Sequence, residues 1–223
     1  MSAKTGSERL DRIVEYVASQ HRRAVGSDDW HPVFDADYRW EHTQRVAHYG
    51  EIIARGEGID RERSLAACLL HDIAYFHSDS EEDWKNHGRV GAKISRPILA
   101  EAGFGEAETG EICHAIAVHV DGETDVPHPH TPLADLVSDA HNIDRFIAYR
   151  VVLWCLNDRD DFAKMGESLR ARVERLETYR KQNPLKTETG RRLFAEKLDL
   201  QIAFFGAIIR DADITRIPQL ETP

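Results

Sequence analysis

Apolar residues recur along most of this chain at spacings of three and four, the pattern of helices that bury one face. The first stripe begins behind Ser7 and predicts a helix over about 7–23. A second stripe predicts a helix over about 40–56 that carries His42 in its first turn. The polar segment 26–32 between them is predicted to be a loop.

The middle of the chain predicts further helices separated by polar segments. Asp60 is a good N-cap for a helix that runs through apolar residues and ends at His71-Asp72. The segment 76–85 has no apolar period, so we expect a loop there. In the helix that follows, Pro97 is expected to kink or interrupt the backbone.

A helix predicted over about 106–119 ends in a histidine on its core-facing stripe. The next segment, 120–130, is rich in Asp, Gly, Pro and His and indicates a loop over a cleft. Thr131-Pro132 then starts another helix, with a hydroxyl cap and proline at the first helical position. In that helix Asp139 interrupts an apolar face.

Two more helical stripes at about 160–210 follow, and we find no convincing two-residue alternation of apolar and polar positions. The sequence therefore predicts an all-α protein. Its length of 223 residues suits one domain. We expect residues 1–223 to form it, with a core at about 30–150 that the helices at about 160–210 complete.

Composition limits the class of partner. The chain has 29 Lys and Arg against 39 Asp and Glu, a net charge of −10, which argues against binding nucleic acid or an anionic membrane. The three cysteines lie in apolar helical patterns and are expected to be free thiols in a reducing compartment. No apolar run is long enough to span a membrane, so we expect a cytoplasmic protein of unknown oligomeric state that binds a small molecule.

An apolar run from Leu65 to Leu70 that ends in His71-Asp72 is the most informative feature. It places an imidazole and a carboxylate where a buried helix ends. Further residues of ligand type lie on either side, and the whole set is His42, His71, Asp72, His87, His119 and Asp139. Transition metals accept all six. The pattern predicts a metal centre.

Three segments carry this order of ligands, 40–46 with WEHTQRV, 65–74 with LAACLLHDIA and 136–140 with LVSDA. They resemble the HD-domain metal-dependent phosphohydrolase superfamily, in particular its small bacterial and archaeal predicted hydrolases. The resemblance runs from about Trp30 to Tyr149. It implies an HD-domain helical bundle with a C-terminal helical extension.

The resemblance also implies roles for individual residues. A first divalent metal would be held by His42, His71, Asp72 and Asp139, with His71 and Asp72 at the catalytic centre. For His87 and His119, either ligation of a second ion or hydrogen bonding in a pocket remains open. The metals expected, as one or two ions, are Mn, Fe, Co, Ni or Zn, with Mg as a further candidate.

One position departs from the family pattern. Related sequences commonly have Asp-Ala-Asp where this chain has Asp139-Ala140-His141, which puts the role of that second acid in doubt. Arg45, one turn after His42, and Arg145 are candidates for binding a substrate phosphate, with a surface ion pair as the alternative for each.

The expected reaction is hydrolysis of a phosphomonoester or phosphodiester, on a nucleotide or related metabolite. A divalent metal lowers the pKa of bound water toward ~7 and polarises a phosphoryl oxygen. The segment 73–77 lacks the residues that mark similar alarmone hydrolases, deoxynucleotidases and cyclic-dinucleotide phosphodiesterases. Two alternatives stay open: a di-iron oxygenase of the HD type, and a non-catalytic module that binds a metabolite.

Overall fold

A computed structural model describes residues 5–25, 36–77, 80–125, 128–157 and 161–214. No strand occurs in these segments, which confirms the all-α prediction. The α-helices are α1 Glu8–Ala24, α2 Ala36–Glu57, α3 Arg61–Leu70, α4 Glu81–Lys85, α5 His87–Ala102, α6 Glu106–Val118, α7 Pro132–Asp144, α8 Ala148–Asn157, α9 Phe162–Lys181 and α10 Glu188–Ile214. A 3-10 turn, Ile73–Phe76, follows α3.

Local signals fix several helix ends where the sequence predicts them. The Ser7 side chain accepts a hydrogen bond from the backbone N–H of Leu10 at the start of α1. Asp60 accepts one from Arg63 N at 2.8 Å at the start of α3. Both bonds satisfy N–H groups that have no partner within their own helix.

One local prediction differs from the structure. The segment 76–85 is not all loop, because α4 forms a short turn of helix at its end. A helix this short has no apolar period that a sequence could reveal. Pro97 lies inside α5 and does not end it, and the kink expected there stays a prediction. The predicted loop at 26–32 lies outside the described residues.

The described residues divide into two compact units. The first runs to Asp144 and includes Lys186–Gly190, while the second comprises the stretch from Arg145 to Leu185 and that from Arg191 onward. The arrangement of all residues as one domain, with C-terminal helices completing a shared core, stays a prediction. No helix of the described segments is long and apolar enough to cross a membrane.

Each unit has its own apolar interior. In the first, α2 packs against α3 and α7, α5 packs against α6, and α1 packs against α3 and α5. Val46, Ile53 and Leu70 are fully buried there. In the second unit the Phe146 ring lies edge-on to that of Phe194, with ring centroids 4.8 Å apart. The site described below belongs to the first unit.

The close approach of α5 and α6 depends on glycine. A Cβ atom placed on Gly88 would lie 2.6 Å from the backbone oxygen of Ala117, and one on Gly91 would lie 3.3 Å from that of His71. The absence of a side chain at Gly88 brings the start of α5 against the end of α6, and its absence at Gly91 brings α5 against the end of α3. His87 and His119 lie at this junction, with ring centroids 5.2 Å apart.

Replacing Gly88 by alanine is expected to lower the free energy of unfolding by about 1–3 kcal/mol, because the new methyl group would meet backbone atoms that repacking cannot move aside. Gly110→Ala is the matched control, since a Cβ atom there has no neighbour within 4 Å. That change should raise the free energy of unfolding by about 0.5–1 kcal/mol. Chemical denaturation measures both values, and equal effects would contradict a requirement for glycine at the junction.

Candidate metal centre

Histidines from five helical segments of the first unit converge with one aspartate. Each comes from the start or end of a helix or from a buried helix face. The residues are His42 on α2, His71 and Asp72 just after α3, His87 at the start of α5, His119 just after α6 and His141 on α7. Within this set two groups bring one possible ligand atom from each residue within 4.8 Å of one another, namely His42 with His71 and His141, and His71 with Asp72 and His119.

Backbone carbonyls orient three of the imidazoles. Nδ1 of His71 lies 2.8 Å from the oxygen of Cys68, Nδ1 of His119 lies 2.7 Å from that of Ile116, and Nδ1 of His87 lies 2.7 Å from that of Trp84. A carbonyl oxygen can only accept a hydrogen bond, so each Nδ1 must carry the proton. In the neutral ring each Nε2 then holds a lone pair.

A carboxylate orients the fourth imidazole. Nδ1 of His42 donates to Oδ2 of Asp144 at 2.7 Å, and Nε of Arg45 donates to Oδ1 of the same group at 2.6 Å. Burial alone would raise the pKa of Asp144, but the hydrogen bonds from His42 and Arg45 hold it below its usual value. Asp144 is therefore an ionised acceptor that directs Nε2 of His42 toward the cluster.

Two of these Nε2 atoms face each other. The distance between Nε2 of His42 and Nε2 of His71 is 3.1 Å. When both rings are neutral, with Nδ1 protonated, neither has a hydrogen to place between them, and two lone pairs meet in a buried site. Burial lowers the pKa of His42, but its bonds to Asp144 and Asp72 leave that pKa raised. A proton on His42, or a metal cation between the rings, relieves the repulsion. Orientation of a ligating imidazole through its other nitrogen is typical of metal sites.

Asp72 lies between two pairs of histidines. Its Oδ2 is 3.4 Å from Nε2 of His42 and 3.6 Å from Nε2 of His71. Its Oδ1 is 3.5 Å from Nε2 of His87 and 3.8 Å from Nε2 of His119. Each carboxylate oxygen therefore faces its own pair of imidazoles, an arrangement that suits one or two ions.

Several polar atoms of the cluster are buried without a hydrogen-bond partner. These atoms are Oδ1 of Asp72, Nε2 of His119 and Nδ1 of His141. Burying such atoms unpaired is costly, and the described residues offer them no donor. A divalent cation would satisfy acceptors of this kind. The residues present therefore fit a metal.

The protonation states of the cluster also suit metal binding. Burial lowers the pKa of His71 to about 4, and burial reinforced by His71 lowers that of His119 to about 3. Burial likewise takes the pKa of His141 well below its usual value. Burial would raise the pKa of Asp72, but the adjacent histidines and Arg39 hold it well below the usual range. At neutral pH His71, His119 and His141 are therefore neutral imidazoles and Asp72 is a carboxylate, the forms that bind metal. The pKa of His42 differs in direction, because its bonds to Asp144 and Asp72 outweigh burial and raise it.

The structure brings together five of the six predicted ligands but leaves out Asp139. Both oxygens of Asp139 accept a hydrogen bond from Lys186 N at 3.0 Å, and its Oδ2 also accepts from the backbone N–H and hydroxyl of Thr187, each at 2.7 Å. Two residues along a helix turn the side chain by about 200°. His141 therefore points to the cluster while Asp139 points to the segment that precedes α10.

For Arg45 and Arg145 the sequence left both phosphate binding and an ion pair open. Arg45 is engaged by Asp144, as described above, and also reaches Glu41 at 3.4 Å. Arg145 belongs to the second unit and is exposed. Arg39, which the sequence reading did not select, donates from Nη1 to Oδ2 of Asp72 at 2.9 Å while its guanidinium lies 3.6 Å from the ring centre of Tyr75. Roles for Arg45 and Arg145 in substrate binding stay predictions.

Helical spacing contains a signal for the residues that sequence reading missed. Arg39 and His42 are three apart on α2, and His141 and Asp144 are three apart on α7. Residues three apart share a helix face. A polar residue at that spacing from His42 would have indicated Arg39, and the pairing of His141 with Asp144 would have indicated a second polar face on α7.

Asp139→Ala is expected to lower the free energy of unfolding by about 2–4 kcal/mol, because it leaves the N–H groups of Lys186 and Thr187 without their charged acceptor. The metal content of the folded variant should stay unchanged. Asp135→Ala, one turn earlier on α7, is the control and should cost less than about 1 kcal/mol, since that carboxylate bonds only His130 at the surface. Denaturation and elemental analysis measure the two properties, and loss of metal from a stable Asp139→Ala protein would restore Asp139 to the ligands.

Comparison with known proteins bears on this arrangement. The sequence model of the HD domain matches residues 39–148, which include all six clustered residues. No curated protein is significantly similar to the chain. A predicted HD superfamily hydrolase from an uncultured Thermotogales bacterium has a similar crystal structure, with a TM-score of 0.61 and 21% sequence identity over 88% of this chain and 91% of that one. This likeness supports the helical fold. Residues 39–148 of this chain are an HD domain, the family that the sequence resemblance predicts.

Proposed function

We propose that this protein is a metal-dependent phosphohydrolase. One observation carries the proposal: four imidazoles whose Nδ1 atoms are all tied to acceptors present their Nε2 atoms around a single buried carboxylate. Such a set of acceptors suits a divalent cation. The HD domain belongs to a hydrolase superfamily, which supports hydrolysis as the reaction.

The ligands that we propose follow the geometry of the cluster. His42, His71 and Asp72 hold the first ion, and His141 takes the place that the sequence reading gave to Asp139. His87 and His119, next to the other oxygen of Asp72, hold a second ion. With His141 the set has five imidazoles and one carboxylate, which favours transition metals over Mg²⁺.

A bound divalent metal would supply polarisation of a phosphoryl oxygen and an activated water. The chain's residues prepare the site for this chemistry. Asp144 and the carbonyls at the helix ends fix the imidazoles, so little reorganisation is needed when charge develops. Asp72 faces both pairs of histidines, so one carboxylate fixes the position of each pair relative to the other.

Arg39 is the residue that we propose for binding the substrate oxyanion. Its guanidinium is held over Tyr75 and touches Asp72, so it lies directly at the edge of the centre. Arginine suits phosphate because its planar fork can donate two hydrogen bonds at once. Arg45 acts on the centre indirectly, through Asp144 and His42.

The substrate that we propose is a small phosphorylated metabolite such as a nucleotide. The net charge of −10 disfavours a nucleic-acid polymer, whose phosphates require a broad basic surface. A small anion needs only the local charge of the centre and of Arg39. We propose that the protein works in the cytoplasm, in keeping with its free thiols.

Chelation is expected to abolish phosphoesterase activity, and a transition metal should restore it.

His141→Ala should lower both metal content and turnover, the latter by orders of magnitude, because a ligand is lost. His48→Ala, on an exposed position of α2, is the control and should retain both. Elemental analysis and assays with phosphomonoesters and phosphodiesters measure the outcomes. Activity that ignores chelator would refute the proposal, activity that needs oxygen would favour an oxygenase, and a metal-loaded protein without turnover would favour a binding module.

Substituting Arg39 and substituting Arg45 should affect different properties of the protein. Arg39→Ala should lower kcat/KM by about 10–100-fold, since a charge-assisted contact to the substrate is lost, while metal affinity changes little. Arg45→Ala should weaken metal affinity by about 10–100-fold, because Asp144 loses a partner and orients His42 less firmly. Arg61→Ala, an exposed arginine paired with Glu51, serves as the control. Metal titration with parallel kinetics measures both effects, and equal losses of metal from the Arg39 and Arg45 variants would contradict the division of roles.

A further inference from the structure

A cavity lies between α5 and α6, outside the metal centre. Arg89, Lys93 and Arg96 line it from α5, and Cys113, His114 and Ala117 line it from α6. Both sets follow the three- and four-residue spacing of a single helix face. The cavity encloses about 110 Å³, and Thr124, Asp125 and His128 contribute its third side.

This cavity opens on a different face of α6 from the one that serves the metal centre. His119 follows Gly110, another lining residue, by nine positions, which corresponds to a rotation of about 180° around the helix. It follows His114 by five positions, a rotation of about 140°. A ligand in this cavity would therefore lie on the far side of α6 from His119.

The charges around the cavity favour an anion. Three of its lining side chains, Arg89, Lys93 and Arg96, are positive. Two carboxylates contact them, Asp125 in the lining and Glu106, whose Oε1 lies 2.7 Å from Nη1 of Arg96. These five groups leave one positive charge in excess, in a protein whose net charge is −10. The floor between the helices is formed by small residues, including Ala92, Gly110 and Ala117, and is largely apolar.

The ring nitrogens of His114 indicate that this cavity lacks a hydrogen-bonding ligand. The residue is only 7% exposed, and both of its ring nitrogens are buried without a hydrogen bond to any described residue. Its ring stacks on that of His128, with centroids 4.9 Å apart and an interplanar angle of 25°. Burial and the neighbouring His128 lower the pKa of His114, so the ring is neutral, with one nitrogen to donate and one to accept.

We propose that this cavity binds a small organic anion, with a phosphate-like or carboxylate group against Arg89, Lys93 and Arg96 and a compact apolar body on the floor beside His114. The stacked imidazoles suit a flat body. The cationic face suits the charged group, and the unpaired nitrogens of His114 suit a polar atom on the same ligand.

Asp125 occupies the place of such an anion in the structure. Its carboxylate lies 2.6 Å from Nζ of Lys93 and 3.9 Å from Nε of Arg89. An incoming anion must compete with this contact. Removing the charge of Asp125 should therefore strengthen binding, whereas removing that of Lys93 should weaken it.

The test uses the full-length protein with Zn²⁺, which is diamagnetic, and follows the imidazole C–H signals of the histidines by NMR. Phenylphosphonate is the main probe, because it combines a dianion with a flat apolar body and has no ester bond to hydrolyse. Inorganic phosphate tests the dianion alone, and benzoate tests the carboxylate. His114→Phe identifies the signal of His114 by its disappearance.

Saturable shifts of the His114 and His128 signals with phenylphosphonate are the expected result. Lys93→Gln should weaken binding at least about five-fold, Asp125→Asn should tighten it about two- to five-fold, and Lys85→Gln should leave it unchanged. Lys85 is the matched control, since it is an exposed lysine paired with Glu81 away from the cavity. Both lysines are largely exposed, so neither change threatens the fold.

Three outcomes would overturn the proposal. The first is the absence of any shift at His114, and the second is binding that Lys93→Gln leaves intact. The third is a shift confined to His71 and His119, which would place the anion at the metal centre alone. Equal affinity for inorganic phosphate and phenylphosphonate would overturn the part of the proposal that concerns the apolar body.

Discussion

The whole site depends on one physical constraint: lone pairs that are buried together must share a positive charge. His42 and His71 turn their Nε2 atoms toward each other at 3.1 Å, and each ring is held in that orientation by an acceptor on its far side. Neither ring can turn away without breaking its own hydrogen bond. The fold thus holds these acceptors close together, and a shared proton or metal cation would stabilise the arrangement.

This requirement explains how the helices are arranged around the centre. Five helical segments that are distant in sequence each have one helix end or one helix face at this cluster. Glycine at the α5 and α6 junction permits the approach, and the carboxylate of Asp144 joins α7 to α2 through His42 and Arg45. The polar groups outside the ligands are thus as much a part of the centre as the ligands themselves.

The strongest sequence signal for the candidate centre is local. An apolar run that stops at His71-Asp72 reports a buried helix end, and the structure has that end where the sequence places it. Asp139 is instructive for the opposite reason. It is buried as expected, yet burial alone does not say which neighbour a side chain faces, and its partners at 186–187 are far away in sequence.

His141 illustrates the same limit. The sequence shows it as a departure from the family pattern, and only the packing of α7 reveals that this position, and not Asp139, turns toward the cluster. Local sequence patterns predict which residue types could bind a metal. The direction of each side chain depends on what its helix packs against.

Three of the imidazoles take their orientation from main-chain oxygens, those of Cys68, Trp84 and Ile116, each three residues earlier in the chain. These oxygens belong to the last turns of helices, where carbonyls lack a partner within the helix. Every amino acid supplies the same carbonyl. The tautomers of the centre therefore do not depend on which side chain stands at these three positions, although Cys68 and Ile116 are fully buried for the packing of the core. An insertion that lengthens one of these helices, by contrast, would move the carbonyl away from its imidazole.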